Sequence, residues 1–183
     1  LPLLNDNQEA AIAEAEAALK GFPALFQSAL QTRFTAKIGL EGGATEDWNL
    51  VKALLNAMTE EEADFTLAFR HLSTALESND DKTVSSLFDD PGAIAAWLSK
   101  WRARMCNIDR DNAIDLMRRT NPILIPRNHR VEEAIQAGNK GDFKPFHRLN
   151  EALQHPFADR PEFANYEAAP APAEVVQATF CGT

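Results

Sequence analysis

Apolar residues in this chain recur every three or four positions, and that spacing governs what it can fold into. Phe22, Leu25, Phe26, Ala29, Leu30 and Phe34 form one such set; Phe65, Ala68, Phe69, Leu72 and Leu76 form a second; Ile94, Trp97, Leu98, Trp101, Met105 and Ile108 form a third. Each draws an apolar stripe along one side of a helix. Strand signals are nearly missing. The one β-branched run, Ile123-Leu124-Ile125, is fenced by Pro122 and Pro126, which withhold ladder donors and push their predecessors into extended geometry. The spacing therefore predicts an all-α chain, an irregular multi-helix bundle of about nine helices, with 123–125 as an extended connector plugged into it.

Helices are expected near 6–20, 22–38, 45–57, 60–77, 82–88, 91–107, 110–119, 128–138 and 142–154. The Ala/Glu-rich stretch from Gln8 to Leu19 reads as a surface helix. Thr59 with Glu62 has capping-box spacing, Asp90 before Pro91 reads as N-cap and first helical residue, and Asp109 and Asp142 stand where caps belong. Gly39, Gly42-Gly43 and Gly138 read as stops. After 155 the character changes: Pro156, Pro161, Pro170 and Pro172 alternate with Phe157, Phe163, Tyr166 and Phe180. This division predicts a helical domain over 1–155 and an extended Pro/aromatic tail over 156–183, pinned to a surface at a few points.

With 183 residues and 45% apolar composition the chain can bury one core. No apolar run approaches the roughly 18 residues of a membrane span, so no membrane partner is expected. A net charge of −9 weighs against nucleic acid. The charge is unevenly placed, however. Residues 100–130 hold Lys100, Arg102, Arg104, Arg110, Arg118, Arg119, Arg127 and Arg130 against three carboxylates, a local +5 in a background of −14. Two readings follow: a docking face for an acidic surface or a phosphate, or internal pairing with the acidic helices of the same domain. The docking candidates are Arg118, Arg119, Arg127, Asn128 and Arg130, since arginine pairs carboxylate or phosphate through two hydrogen bonds. On the structural reading Asn128 caps the following helix and Asn121 starts a turn before Pro122.

Motifs for chemistry are missing. There is no Gly-rich phosphate loop, no His-Arg-Asp and no Gly-Lys-Ser, and Gly141-Asp142-Phe143 reverses the kinase Asp-Phe-Gly order at a helix start. His71, His129, His147 and His155 stand at no zinc-type helical spacing, with His129 the one of interest for its basic surroundings. Glu60-Glu61-Glu62, Asp80-Asp81 and Asp89-Asp90 lack the calcium-loop pattern and suit helix starts. No catalytic, cofactor or metal residue is assigned. Two cysteines are too few for a disulfide framework, which points to a reducing compartment; Cys106 is expected to be buried and inert.

Asn121-Pro122-Ile123-Leu124-Ile125-Pro126-Arg127-Asn128-His129 and the ending Thr179-Phe180-Cys181-Gly182-Thr183 together resemble the C-terminal part of the selenoprotein O family. Phe34 to Leu40, Asp64 to Arg70, Trp97 to Arg104 and Gly141 to Phe157 fit the same family in the same order. The resemblance implies a pseudokinase protein adenylyltransferase that moves AMP from ATP to Ser, Thr or Tyr hydroxyls of protein substrates. It also implies that ATP and Mg2+ bind in a kinase-like core preceding this part. That core is the expected partner, and a bacterial cytoplasmic location is implied by resemblance alone. The chain does not begin with Met, so it is expected to be a piece of a longer protein whose targeting segment would be out of view. Cys181 matches the family's near-terminal Cys or selenocysteine and is the candidate redox residue, expected to form a reversible disulfide with a cysteine of the core. The rival reading is a stand-alone helical adaptor without catalytic activity.

Overall fold

The computed structural model describes residues 3–42 and 44–176, and among them the fold is all-α as the periodicity predicts. Eight α-helices run in the order α1 (Gln8–Lys37), α2 (Thr45–Glu60), α3 (Phe65–Ser78), α4 (Lys82–Ser85), α5 (Pro91–Met105), α6 (Arg110–Thr120), α7 (Asn128–Asn139) and α8 (Lys144–Leu153). Two 3-10 turns follow, at Pro161–Tyr166 and Pro172–Glu174. No described helix is long and apolar enough to cross a membrane.

Local chemistry sets most of the boundaries. Asn7, Asp64, Asp90 and Asp109 cap α1, α3, α5 and α6, each carboxylate or amide oxygen accepting a first-turn N–H. Asp142 accepts from the Lys144 amide at 3.0 Å at the start of α8. The expected Thr59/Glu62 capping box does not form. Thr59 lies inside α2, its hydroxyl donating to the Leu55 carbonyl, and Asp64 does the capping two residues after Glu62. Gly39 ends α1 at a φ of +81°, and an added Cβ would meet the Met105 and Met117 methyls at 3.2 and 3.3 Å, so both the dihedral and the space call for glycine. Gly138, expected as a stop, stays helical; the left-handed turn comes at Gly141.

The expected break near residue 21 does not occur: α1 is one helix of 30 residues, about 45 Å long, running through Gly21 and Pro23. Pro23 deprives the Leu19 carbonyl of its donor, a loss that an exposed helix can make good with solvent.

Two hydrophobic cores result. The larger joins the C-terminal end of α1 to α2–α6 around Trp101, Phe69, Leu72 and Ile94. Helices α2 and α5 are antiparallel, with Trp97 Nε1 donating to the Leu50 carbonyl at 2.8 Å and Arg104 pairing with Asp47. The smaller core gathers Ile123, Leu124, Ala152 and Phe163 where the connector after α6, α8 and the first 3-10 turn meet. Ile123 and Leu124 do plug in, their amides donating to the Pro156 carbonyl at 2.8 and 3.1 Å. Over 156–176, its described part, the tail is pinned as expected but is interrupted by 3-10 turns. Pro161 opens a 3-10 turn that drives Phe163 into full burial between the guanidiniums of Arg148 and Arg160, 4.0 and 4.2 Å from its ring centroid.

Asn121 joins the helices at the end of the larger core. Only 1% exposed, it donates through Nδ2 to the Lys37 carbonyl at 2.8 Å and the Phe69 carbonyl at 3.3 Å, while Oδ1 accepts from Lys37 Nζ at 3.2 Å. One amide thus closes the end of α1 and the middle of α3 against the end of α6. Replacing it strands the Lys37 carbonyl and takes the acceptor from the half-buried Lys37 ammonium, at about 1–3 kcal/mol for each buried group left unpaired, while the Phe69 carbonyl keeps its partner within α3. Asn121→Ala should therefore lower the unfolding free energy by about 3 kcal/mol in urea denaturation, whereas Asn128→Ala, at an exposed first-turn position, should change it by less than about 0.5 kcal/mol. Equal losses would show that the buried amide has no special place.

Candidate functional site

The basic segment of 100–130 is where sequence reasoning puts a docking face, and the structure pairs most of its arginines within the chain, although only Arg127 is buried. Helices α3 and α6 lie antiparallel, and each supplies an arginine to the other's carbonyl end. Arg110 of α6 donates to the Leu76 and Glu77 carbonyls, and Arg70 of α3 donates to the Arg118 and Asn121 carbonyls. Helix α3 has no basic residue in its own last turn, so Arg102, which reaches the Ala75 carbonyl and Asp81, and Arg118, paired with Glu77, complete the neutralisation of its negative end. Cations converge on the end of α3 because its carbonyls need donors there.

Arg127 is corrected outright as a docking residue. It is 7% exposed and grips Asp64 through both terminal nitrogens at 2.6 and 3.2 Å. Asp64 simultaneously caps α3 by accepting from the Leu67 amide at 2.8 Å. Burial pushes the Asp64 carboxyl up, but the hydrogen bond from Arg127, the backbone amides of Leu67 and Thr66 and the Arg127 charge together hold its pKa below the ordinary value. Asn128 is the first residue of α7, where Arg127 holds the cap position, and it makes no capping side-chain bond. Arg118 and Arg119 remain partly outward-facing, the latter 3.8 Å from Glu41. Arg130 bonds Glu133 and the Asn165 carbonyl, and lies over the Tyr166 ring.

Cys106 is exposed, its thiol donating to the Arg102 carbonyl at 3.3 Å; the expectation of a buried thiol fails because α5 turns its other face, Trp97 and Trp101, to the core. Cys181 lies outside the described residues. The described residues contain no cluster of three His, Cys, Asp or Glu side chains able to hold a metal. His129 is buried, with Nε2 lacking a partner among the described residues. Burial, then the Arg130 charge, pulls its pKa below the ordinary histidine value, and burial, then the Arg70 charge, does the same to His71. Lys37, poised over the Phe65 and Phe69 rings at 5.7 and 5.3 Å, is lowered by burial.

Two outward-facing surfaces are apolar. A groove of about 580 Å³ between α7 and α8 is lined by Val131, Ile135, Phe143, Phe146 and Leu153. Along α1, Phe22, Leu25 and Phe26 of the expected stripe are exposed, and Leu19, one turn before them, is exposed as well. Sequence periodicity found this stripe but could not tell an inward from an outward one.

Comparison with known proteins places this architecture. The sequence profile of the family described as protein adenylyltransferase SelO matches residues 4–154. Proteins described as protein nucleotidyltransferase YdiU are 46% identical over 185 residues in Jannaschia sp. (strain CCS1), 45% over 186 in Bradyrhizobium sp. (strain BTAi1) and 44% over 186 in Rhodopseudomonas palustris (strain BisB18). Each alignment takes in 100% of this chain and 38% of the relative.

The histidine environments give a pH dependence. Because the folded pKa of His71 and His129 is depressed, the unfolded chain binds their protons first as pH falls through about 6.5, and stability drops below that point. Glu167, raised by burial and the nearby Asp159 carboxylate, works in the opposite sense in its own range and is common to every variant. The loss of unfolding free energy between pH 7.5 and 5 should be smaller in His71→Gln and His129→Gln than in the parent sequence; unchanged slopes would show that neither imidazole is held neutral by the fold.

Proposed function

This chain belongs to the SelO protein adenylyltransferase family, and from that premise we propose that it is the C-terminal helical part of a protein that transfers AMP from ATP to Ser, Thr or Tyr hydroxyls of other proteins. The observation that carries the proposal is one of extent: the match takes in the whole chain but only 38% of each relative. The chain is then a minor part of its parent, and the phosphate loop and catalytic carboxylates that its sequence lacks belong to the larger remainder.

ATP and Mg2+ are assigned to that remainder as well. Mg2+ in nucleotide sites needs carboxylates that converge with the phosphates. Here Asp47, Asp64 and Asp81 each face an arginine instead, and no described group of three potential ligands exists. The donor set does not fit the metal, and no catalytic step is derived through it. What these residues do is hold shape. The two cores, tied by Asn121 and by Arg127 on Asp64, form a rigid buttress, which is how a non-catalytic part can position an active site in its parent.

The test is direct. With radiolabelled ATP and magnesium, the full-length parent should label protein substrates with AMP and the 183-residue chain alone should label none. Label transferred by the isolated chain would overturn the assignment of the active site to the remainder.

A further inference from the structure

Helix α1 is built to be covered and, among the described residues, is not. Every residue from Glu16 to Ala29 is exposed, including Leu19 at 72%, Phe22 at 60%, Leu25 at 72% and Phe26 at 53%. These four fall at three- and four-residue intervals on one side of the helix, and the rings of Phe22 and Phe26 stack at 5.8 Å between centroids. Ala11 is buried near the helix start, and beyond the exposed stretch α1 packs from Leu30 onward, chiefly at Phe34 and Thr35, against α2 and α6.

A protruding helix of this kind does not hold itself. Helices owe most of their stability in water to tertiary packing of an apolar face, and Gly21 and Pro23 weaken this one further. Folded proteins also seldom leave a contiguous apolar patch of this kind in water. We propose that the Leu19-Phe22-Leu25-Phe26 face of α1 is the surface on which the remainder of the parent polypeptide docks, and that this apolar face, rather than the basic segment, carries the domain interface. The proposal rests on the reading of the chain as part of a longer adenylyltransferase.

Three observations select that occupant. Most of each relative's length lies outside the matched part, so a body large enough to cover 14 helical residues exists in the same molecule. A tethered body acts at an effective concentration of roughly millimolar, far above that of a free partner. A second copy would bring another net charge of −9 to meet this one, a repulsion that works against self-association. The arginines, meanwhile, are largely engaged inside the chain.

Hydrogen exchange by mass spectrometry on the full-length parent tests this. Amides of 16–29 should exchange at least ~10-fold more slowly than the unstructured rate, independently of protein concentration. Protection should survive truncation after Val176, and Lys20 should cross-link to lysines outside these 183 residues. Leu25→Asp should abolish the protection of 16–29 while leaving α3 and α6 unchanged. Exchange at the unstructured rate would overturn the proposal, as would protection that grows with concentration, which marks a second copy, or protection lost with residues 177–183, which marks the chain's own end. AMP transfer by the same preparation separates the two readings. Transfer with an unprotected α1 removes only the docking surface, and protection without transfer removes only the assigned activity.

Discussion

A buried guanidinium has to meet an anion, and the way Arg127 meets that need organises the chain. Its partner, Asp64, caps α3 of the larger core, while Arg127 ends the connector whose Ile123 and Leu124 enter the smaller one, and holds the cap position of α7. Two helix starts, each with unsatisfied amides and positive potential, are thereby drawn to a single carboxylate. The connector between Asn121 and Arg127 supplies the rest of the join. Asn121 fixes one end to α1 and α3, Ile123 and Leu124 fill the smaller core, and prolines at 122 and 126 keep the stretch extended so that it reaches.

Once the cations are committed, the distribution of charge ceases to describe the outer surface. The local +5 of residues 100–130 exists because α3 ends without a cation of its own and borrows Arg102, Arg110 and Arg118 from its neighbours. The most extensive apolar surfaces left to meet another body are the stripe of α1 and the groove between α7 and α8. Burying such surface supplies affinity, whereas exposed ion pairs contribute little each.

How much of this was legible in the sequence depended on how local the cause was. Asp90-Pro91, Asp109 and Gly39 announce their helix ends because capping and left-handed geometry act within a few residues. Asp64 was hidden behind Thr59 and Glu62, which have the right spacing for a cap but lie in the preceding helix and its turn. Gly21 and Pro23 look like a break, yet an exposed helix tolerates them. Arg127 and Asn121 were visible as members of an unusual run, but their roles depend on partners 63 and 84 residues away, which no local pattern reveals. The direction of an apolar stripe has the same limitation: Phe22 to Phe34 of α1 and Phe65 to Leu76 of α3 both recur at three and four residues, and the tertiary arrangement leaves the first part of the α1 set uncovered.

The central claim is that Asp64 and Arg127 couple the two cores. A double-mutant cycle measures this most directly, with Asp64→Asn, Arg127→Met and the double variant compared by denaturant unfolding. A partly buried, bidentate pair that also caps a helix should show a coupling energy of about 2 kcal/mol, at the upper part of the range for contacting residues, and the double variant should be less destabilised than the sum of the singles. Additive losses, with a coupling within about 0.3 kcal/mol of zero, would contradict the account and leave the cores joined only by the connector.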